Sequence, residues 1–350
     1  MKTYLVGGAV RDKLLGITPK ERDWVVVGSS PEEMIKKGFK QVGKDFPVFI
    51  NPKNGEEYAL ARTERKSGRG YTGFEFNTDK SVSLEEDLKR RDLTINAIAE
   101  DDNGNLIDPY NGRQDILDKK LRHVSDAFSE DPLRVLRVAR FKCNLPGFNI
   151  DEGTIRKIIE IKISGELDFL TGERVWMELI KSKNPYCFAN TLEEFDILHL
   201  LPSCMNNLPG EFIPNLDSIK SMSTFMNDRI QDINLFCEKL RVPNQFKELA
   251  ILLKTCKRDI ISFSADTCNA NELYGLIQKL DIRKKQRLSD FLDIMNAYEI
   301  DTGFIKHLVS CLISYKLDVT QRDKKPKDIK LIIKKDHLKI IQREIDNLNN

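Results

Sequence analysis

Paired cysteines are missing from this sequence. Its seven cysteines, at 143, 187, 204, 237, 256, 268 and 311, are scattered, and none forms a Cys-x-x-Cys pair. That argues against a disulfide or zinc framework and for reduced thiols in a cytoplasmic protein. Long apolar runs are missing too. None reaches the roughly 20 residues that span a bilayer, so no membrane helix is expected. The N-terminus lacks a long apolar stretch with a cleavage site, so no secretory signal is expected. Nor is there a surplus of one charge: 56 Lys and Arg stand against 54 Asp and Glu, a net +2. A nucleic-acid site would therefore have to be a local patch. What remains is 350 residues with 40% hydrophobic and 31% charged content. That is enough for a sizeable core and for two or more domains.

The informative start is Leu5-Val6-Gly7-Gly8-Ala9-Val10-Arg11-Asp12, followed by Glu21-Arg22-Asp23-Trp24-Val25-Val26-Val27-Gly28. It reads as strand, glycine turn, helix over Val10–Leu15 and a second apolar strand. Glycines remove the Cβ and let a bound group come close. A helix start just past them suits a phosphate. Glu21 and Asp23 are two apart, so on an extended strand they share a face. Two such carboxylates suit Mg²⁺. The local reading is metal-assisted phosphoryl transfer. Taken singly, each feature also fits an ordinary turn and a solvated strand edge.

Further along, Ser30 and Pro31 open a short helix to Lys37. Strands over Phe46–Ile50 and Glu57–Ala61 flank turn residues and form a hairpin. Residues 62–83 read as a glycine-rich basic loop with aromatics, either a mobile element near an anionic substrate or plain surface. Leu84–Ala99 carries helical periodicity. Inside it, Lys89-Arg90-Arg91 cannot share one helix face. Leu106–Gly112 is a short strand into a turn, and Gln114–Lys120 a short helix. Ser129 or Asp131 caps a helix that has Pro132 in its first turn. Along that helix Asp131, Arg134, Arg137 and Arg140 step by three and drift slowly along one side. Three arginines with one near acid look underpaired, which favours a nucleotide over an ion-pair ladder.

Beyond Gly147 the pattern is helical, over Glu152–Ile163, Gly172–Lys181, Asn184–Leu200, Ser218–Leu240 and Asn271–Ile300. A basic segment from Lys324 to Lys335 either touches RNA phosphates or forms a solvated helix face.

Six ordered motifs resemble those of the class II tRNA nucleotidyltransferases, the bacterial CCA-adding enzymes and their poly(A) polymerase relatives. They are Gly7-Gly8-x-Val10-Arg11-Asp12, Glu21-x-Asp23-Trp24, Arg90–Ala97, Asp108–Gly112, Glu130–Arg134 and Glu173–Trp176. They cover about the first 180 residues. The resemblance implies an α+β fold: a polymerase-β-like palm with a small mixed sheet, then an all-α neck, body and tail. It divides the chain into a head at 1–122, a nucleotide-reading neck at 123–182 and a tRNA-binding body and tail at 183–350. It implies transfer of CMP, CMP and AMP from CTP and ATP onto a tRNA 3′ end, with Mg²⁺ as cofactor. The partners implied are tRNA, CTP and ATP, with no membrane, in a monomer or weak dimer.

By position, Glu21 and Asp23 would bind the metal and carry catalysis. Gly8 and Arg11 would contact the triphosphate, and Arg91 would belong to the site that separates ribose from deoxyribose. Asp131 and Arg134 would read the base, with Arg137 and Arg140 completing the pocket. Cytosine and adenine both present an amino donor beside a ring-nitrogen acceptor, which a carboxylate and a guanidinium can match. Glu21 departs from the family's usual Asp. Longer members add a His-Asp phosphohydrolase region. Here there are four histidines, at 123, 199, 307 and 337, and none is followed by Asp. Neither that hydrolase nor a transition-metal site is expected. A poly(A) polymerase, a partial CC- or A-adding enzyme and a non-catalytic RNA-binding paralogue are the alternatives.

Overall fold

A single glycine, Gly7, separates the first strand, β1 (Lys2–Val6), from the first helix, α1 (Gly8–Leu14). The computed structural model describes residues 1–43, 48–66, 74–205, 210–262, 269–318, 321 and 325–348. The chain divides into two compact units, Met1–Leu200 and Leu201–Asn350.

In the first unit, β1 is an inner strand of a mixed sheet. Its other strands are β2 (Asp23–Val27), β3 (Lys40–Val42), β4 (Val48–Ile50), β5 (Glu57–Leu60), β8 (Ala99–Glu100) and β9 (Leu106–Ile107), in the order β3-β4-β5-β2-β1-β8-β9. β2 runs antiparallel to β1, with Val6 opposite Asp23, and parallel to β5. Side chains alternate between the faces of a strand. Val25 accordingly packs with Val6, Leu88 and Ala97, whereas Val26 packs with Met34, Phe49 and Leu60. Asp23 takes the face of Val25. The helix α2 (Pro31–Lys36) starts on a reciprocal Ser30–Glu33 capping box with Pro31 in its first turn. β4 and β5 form the expected antiparallel pair. Residues 44–47, including part of the strand expected over Phe46–Ile50, lie outside the described residues.

Two expectations need correcting in the first unit. Part of the supposed loop at 62–83 is an antiparallel pair, β6 (Thr63–Lys66) with β7 (Phe74–Asn77), while 67–73 lie outside the described residues. The continuous helix over Leu84–Ala99 is not formed. Only α3 (Leu84–Lys89) is helical, and a short 3₁₀ turn follows at Thr94–Asn96. Asp92 explains the break. Its Oδ1 accepts from the Leu93 backbone N–H at 2.8 Å and from Asn96 Nδ2 at 3.0 Å. Such local bonds compete with the helix ladder. The Asp108–Gly112 motif is structural here. Asp108 accepts the N–H groups of Gly112 and Arg113 at 2.7 and 2.9 Å, opening α4 (Gly112–Leu117). A Cβ on Gly112 would stand 2.2 Å from the Thr94 carbonyl oxygen, so only glycine lets α4 sit so close.

Strand β10 (Lys120–Leu121) pairs in parallel with β11 (Asn149–Ile150), and α5 (Leu133–Asn144) runs between them in sequence. Then come α6 (Glu152–Ile163), α7 (Gly172–Ile180) and α8 (Pro185–Glu194). α5 packs against both α7 and α8.

The second unit consists of α9 (Ser218–Arg229), α10 (Ile233–Leu240), α11 (Asn244–Ile261), α12 (Ala270–Leu280), α13 (Lys285–Ala297), α14 (Gly303–Ser314) and α15 (Pro326–Leu348). α11 through α15 share one core that includes Leu253, Ile277, Phe291, Leu308 and Ile341. Three expected helices are split or cut short. The Asn184–Leu200 segment ends at a left-handed Asp196, and Asn271–Ile300 breaks at a left-handed Asp281. Ser218–Leu240 breaks at an extended Ile230, after which Asp232 caps α10 by accepting from the Leu235 N–H. Among the described residues, no helix is long and apolar enough to cross a membrane.

Candidate active site

The turn between β1 and α1 is forced by Gly7. Its φ of 70° and ψ of −130° lie where an L side chain is strained, and a Cβ there would stand 3.0 Å from Arg91 Nη1. Gly7 thus lets the Arg91 guanidinium lie against the backbone at the head of α1, beside the first residue, Gly8. The N–H groups of this first turn have no partners within the helix.

Opposite Val6, Asp23 begins β2. Glu21 lies before the strand, not on it, so the expected shared strand face belongs to Asp23 alone. Both side chains are exposed. Even so, protein atoms crowd round the Asp23 carboxyl, and this desolvation raises its pKa above the ordinary aspartate value. Arg91 opposes the rise and Glu21 adds to it. The structure therefore brings Glu21, Asp23, Arg91 and the glycine turn together.

Arg91 is held from behind by Asp87, which is fully buried and accepts from Arg91 Nη2 at 3.1 Å and Arg90 Nη2 at 2.6 Å. Burial would raise the Asp87 pKa, but the two guanidiniums outweigh it and hold it below the usual value. Arg91 Nε is buried and has no hydrogen-bond partner among the described residues. Arg90 turns elsewhere. It lines a cleft of about 610 Å³ with Lys89, His123 and Asp126, and neither Glu21 nor Asp23 lines that cleft.

Arg11 is fixed on α1. Its Nη2 donates to Asp12 Oδ1 at 2.7 Å and its Nη1 to Asn96 Oδ1 at 2.6 Å. It also lies over the Phe141 ring, 5.1 Å from the centroid. Arg137 and Arg140 approach the same ring at 5.6 and 4.3 Å. One benzyl group on α5 thus gathers three guanidiniums.

The supposed underpairing of the arginine stripe does not hold. Arg137 Nε donates to Asp92 Oδ2 at 2.6 Å, and Arg140 Nε to Glu178 Oε2 at 2.5 Å. Both acids are buried. Burial alone would raise the Asp92 pKa. Arg137, Asn96 and the Leu93 N–H outweigh that and push it far below the carboxylate range. Arg134 is buried as well, donating from Nη1 to the Ala127 carbonyl at 2.6 Å and from Nη2 to the Arg90 carbonyl at 2.5 Å. Asp131 stands before α5. Its Oδ1 accepts both from the Leu133 N–H at 3.1 Å and from Arg174 Nη2 at 3.2 Å. Its Oδ2 takes neither donor and remains an acceptor.

Sequence reasoning missed Gly7 as the strained member of the pair. It also missed Asp87, Asp92, Glu178 and Arg174 as partners. Asp92 and Arg174 lie inside the Arg90–Ala97 and Glu173–Trp176 motifs, which marked them without revealing what they touch, whereas Asp87 and Glu178 lie just outside those motifs.

Comparison with known proteins places this geometry. Residues 3–122 match the Poly A polymerase head domain. A "Multifunctional CCA protein" of Shewanella denitrificans is 44% identical, over 83% of this chain and 82% of that protein. A "CCA-adding enzyme" of Coxiella burnetii is also 44% identical, over 83% of this chain and 80% of that protein. In fold, the chain resembles the Bacillus stearothermophilus CCA-adding enzyme in complex with CTP, with a TM-score of 0.70 at 23% identity over 99% of this chain and 89% of that one. It also resembles the Thermotoga maritima CCA-adding enzyme complexed with tRNA, with a TM-score of 0.67 at 21% identity over 99% and 91%. With a glycine turn, paired acids and an arginine helix in this order, and with relatives of this identity and coverage, the chain belongs to the CCA-adding enzymes of the tRNA nucleotidyltransferase and poly(A) polymerase family.

Proposed function

We propose that this protein adds and repairs the 3′-terminal CCA of tRNA, transferring CMP, CMP and AMP from CTP and ATP with release of pyrophosphate. The observation that carries the reading is Asp131. One carboxylate oxygen is clamped by Arg174 and a backbone N–H, and the other is left to accept. An acceptor held this way takes the amino group of cytosine or adenine. Guanine and uracil place a carbonyl there, opposing oxygen to oxygen, and a site built on hydrogen bonds rejects such a mismatch strongly. Names borne by relatives, "CCA-adding enzyme" and "Multifunctional CCA protein", agree.

In this reading Arg134 donates to the ring nitrogen, its guanidinium oriented by the Ala127 and Arg90 carbonyls. Arg137 and Arg140 line the pocket and reach the phosphates. Gly8 and Arg11 hold the triphosphate. Arg91, pressed on Gly7, contacts the sugar.

Glu21 and Asp23 are the residues that would hold Mg²⁺. Hard oxygen donors suit that ion. Desolvation chiefly, and repulsion from Glu21 in addition, raise the Asp23 pKa, and a divalent cation would offset both. Bound there, magnesium supplies activation of the tRNA 3′-hydroxyl and neutralisation of the leaving pyrophosphate. The side chains do the rest. Gly8 and Arg11 fix the triphosphate so that the reacting phosphorus faces the hydroxyl, Arg91 positions the sugar, and Asp131 admits only a matching base. Residues 1–122 act as head, 123–182 as nucleotide-reading neck and 183–350 as tRNA-binding body and tail. Free thiols at the six described cysteines fit a cytoplasmic site of action.

The test incubates the protein with tRNA transcripts ending before CCA, after CC or complete, with each labelled nucleotide and Mg²⁺. Addition of CMP and AMP that stops at CCA supports the proposal. Long A tails would make it a poly(A) polymerase, and CC alone or A alone a partial enzyme. No incorporation would leave an RNA-binding paralogue.

A further inference from the structure

His307 and Cys311 lie one turn apart on α14, so their side chains share a face. α15 packs against that helix and brings in Glu344, which is nearly buried. His307 Nε2 is 3.0 Å from Glu344 Oε2 and 3.6 Å from Cys311 Sγ. One donor atom from each of the three residues lies within 4.8 Å of the others, the one such group of three among the described residues.

We propose that His307, Cys311 and Glu344 form a binding site for a divalent transition ion of the zinc class, linking α14 to α15. A tetrahedral zinc ion with N, S and O ligands separates its donor atoms by about 3.3–3.6 Å, given its usual bond lengths. The His307–Glu344 and His307–Cys311 spacings lie within a few tenths of an ångström of these values, and the Cys311–Glu344 spacing, within 4.8 Å, closes on binding by at most about 1.3 Å. Imidazole, thiolate and carboxylate together favour zinc over magnesium or calcium, which prefer oxygen alone. Three protein ligands leave the fourth position of a tetrahedral ion to water.

The surroundings are those of a supported ligand. Arg343 donates to Glu344 Oε1 from Nη2 at 2.7 Å and from Nε at 3.0 Å, which turns Oε2 toward His307. Outer hydrogen bonds of this kind orient metal carboxylates. On binding, Cys311 gives its thiol proton to solvent, and the proton that His307 Nε2 shares with Glu344 leaves for Nδ1 or solvent; sulfur and Nε2 then each donate an electron pair to the ion, and no oxidation state changes. The scarcity of histidines gave no hint of this cluster, because Glu344 joins the His307–Cys311 pair only through the packing of α15.

The full chain, stripped with a chelator and kept reduced, is titrated with CoCl₂. One equivalent of Co²⁺ should produce a near-ultraviolet thiolate-to-cobalt charge-transfer band and visible bands of tetrahedral strength, both displaced by Zn²⁺. Cys311→Ser should abolish the charge-transfer band. Arg343→Ala should keep it but weaken Co²⁺ affinity by about 10–100-fold, as loss of an outer partner does. Cobalt at Glu21 and Asp23 cannot mimic this, because no thiol is part of that proposed pair. Absence of the band in the unaltered chain would overturn the proposal, and so would its persistence in Cys311→Ser. Should Cys311→Ser fail to fold by circular dichroism, His307→Ala takes its place with the same two outcomes.

Discussion

Arg137 and Asp92 stand 45 positions apart in the chain, yet Arg137 Nε donates to Asp92 Oδ2 at 2.6 Å. The pair joins α5, the helix proposed to read the base, to the turn after α3. Asp92→Ala should therefore cost about 3 kcal/mol of stability, the low end for a broken buried pair because Arg137 is about a third exposed. Urea unfolding reads this directly. The pH dependence has a fixed sign. A carboxyl whose folded pKa is depressed stabilises fully above its unfolded value, near 4, and loses that stabilisation as pH falls toward the folded value. The gap between the unaltered protein and Asp92→Asn should thus be constant at neutral pH and shrink below about pH 4. A gap that grows in acid would contradict the pairing.

Asp23 is held oppositely. Its folded pKa is raised by crowding, and Arg91 partly offsets the rise. If ionised Asp23 is needed for transfer, the rate should fall as pH drops through that raised value. Arg91→Gln removes the offset, so the acid limb of kcat/KM should move to higher pH, besides any loss of nucleotide affinity. An unmoved limb would separate Arg91 from Asp23. Asp23→Ala should abolish transfer of every nucleotide. Glu21→Asp should keep activity and change the Mg²⁺ concentration that supports it.

Asp131→Ala removes the acceptor that Arg174 orients. Discrimination between CTP and UTP should fall by at least about tenfold, the scale of one hydrogen bond to a charged group. Measuring kcat/KM for all four nucleotides checks it. Equal loss on all four, with no gain of UTP or GTP use, would remove Asp131 from base reading.

Gly7→Ala places a Cβ 3.0 Å from Arg91 Nη1 at a φ of 70°. The strain should cost about 1–3 kcal/mol and displace the guanidinium. Gly8→Ala meets Arg11 Nη2 at 3.5 Å, an ordinary contact, and should be milder in thermal melting. Equal effects would contradict the assignment of the strained turn to Gly7.

Local signals were legible where local forces decide. Glu152–Ile163 forms the helix its periodicity implies, capped by Asp151. Ser30 and Pro31 start α2 as read. The helix over Leu84–Ala99 failed because periodicity does not register that Asp92 and Asn96 bond locally. Of the site, the glycine turn and the acids at its edge were visible as a pattern. The arginine stripe was visible too, but its partners were not. Asp92 and Glu178 reach Arg137 and Arg140 only through the fold, and a helical wheel shows neither.

The ring of Phe141 has one more consequence. Arg11 belongs to the phosphate side of the proposed site, and Arg137 and Arg140 to the helix beside the base, yet all three charges lean on the same aromatic group. Like charges gathered round one ring cannot move independently: turning one changes the field on the other two. In the proposed site, the grip on the triphosphate and the pocket beside the base would therefore be coupled through a side chain that bears no charge itself. In a double-mutant cycle, Phe141→Leu with Arg11→Lys should show a coupling energy that Arg11→Lys with an exposed control such as Leu117→Ala does not.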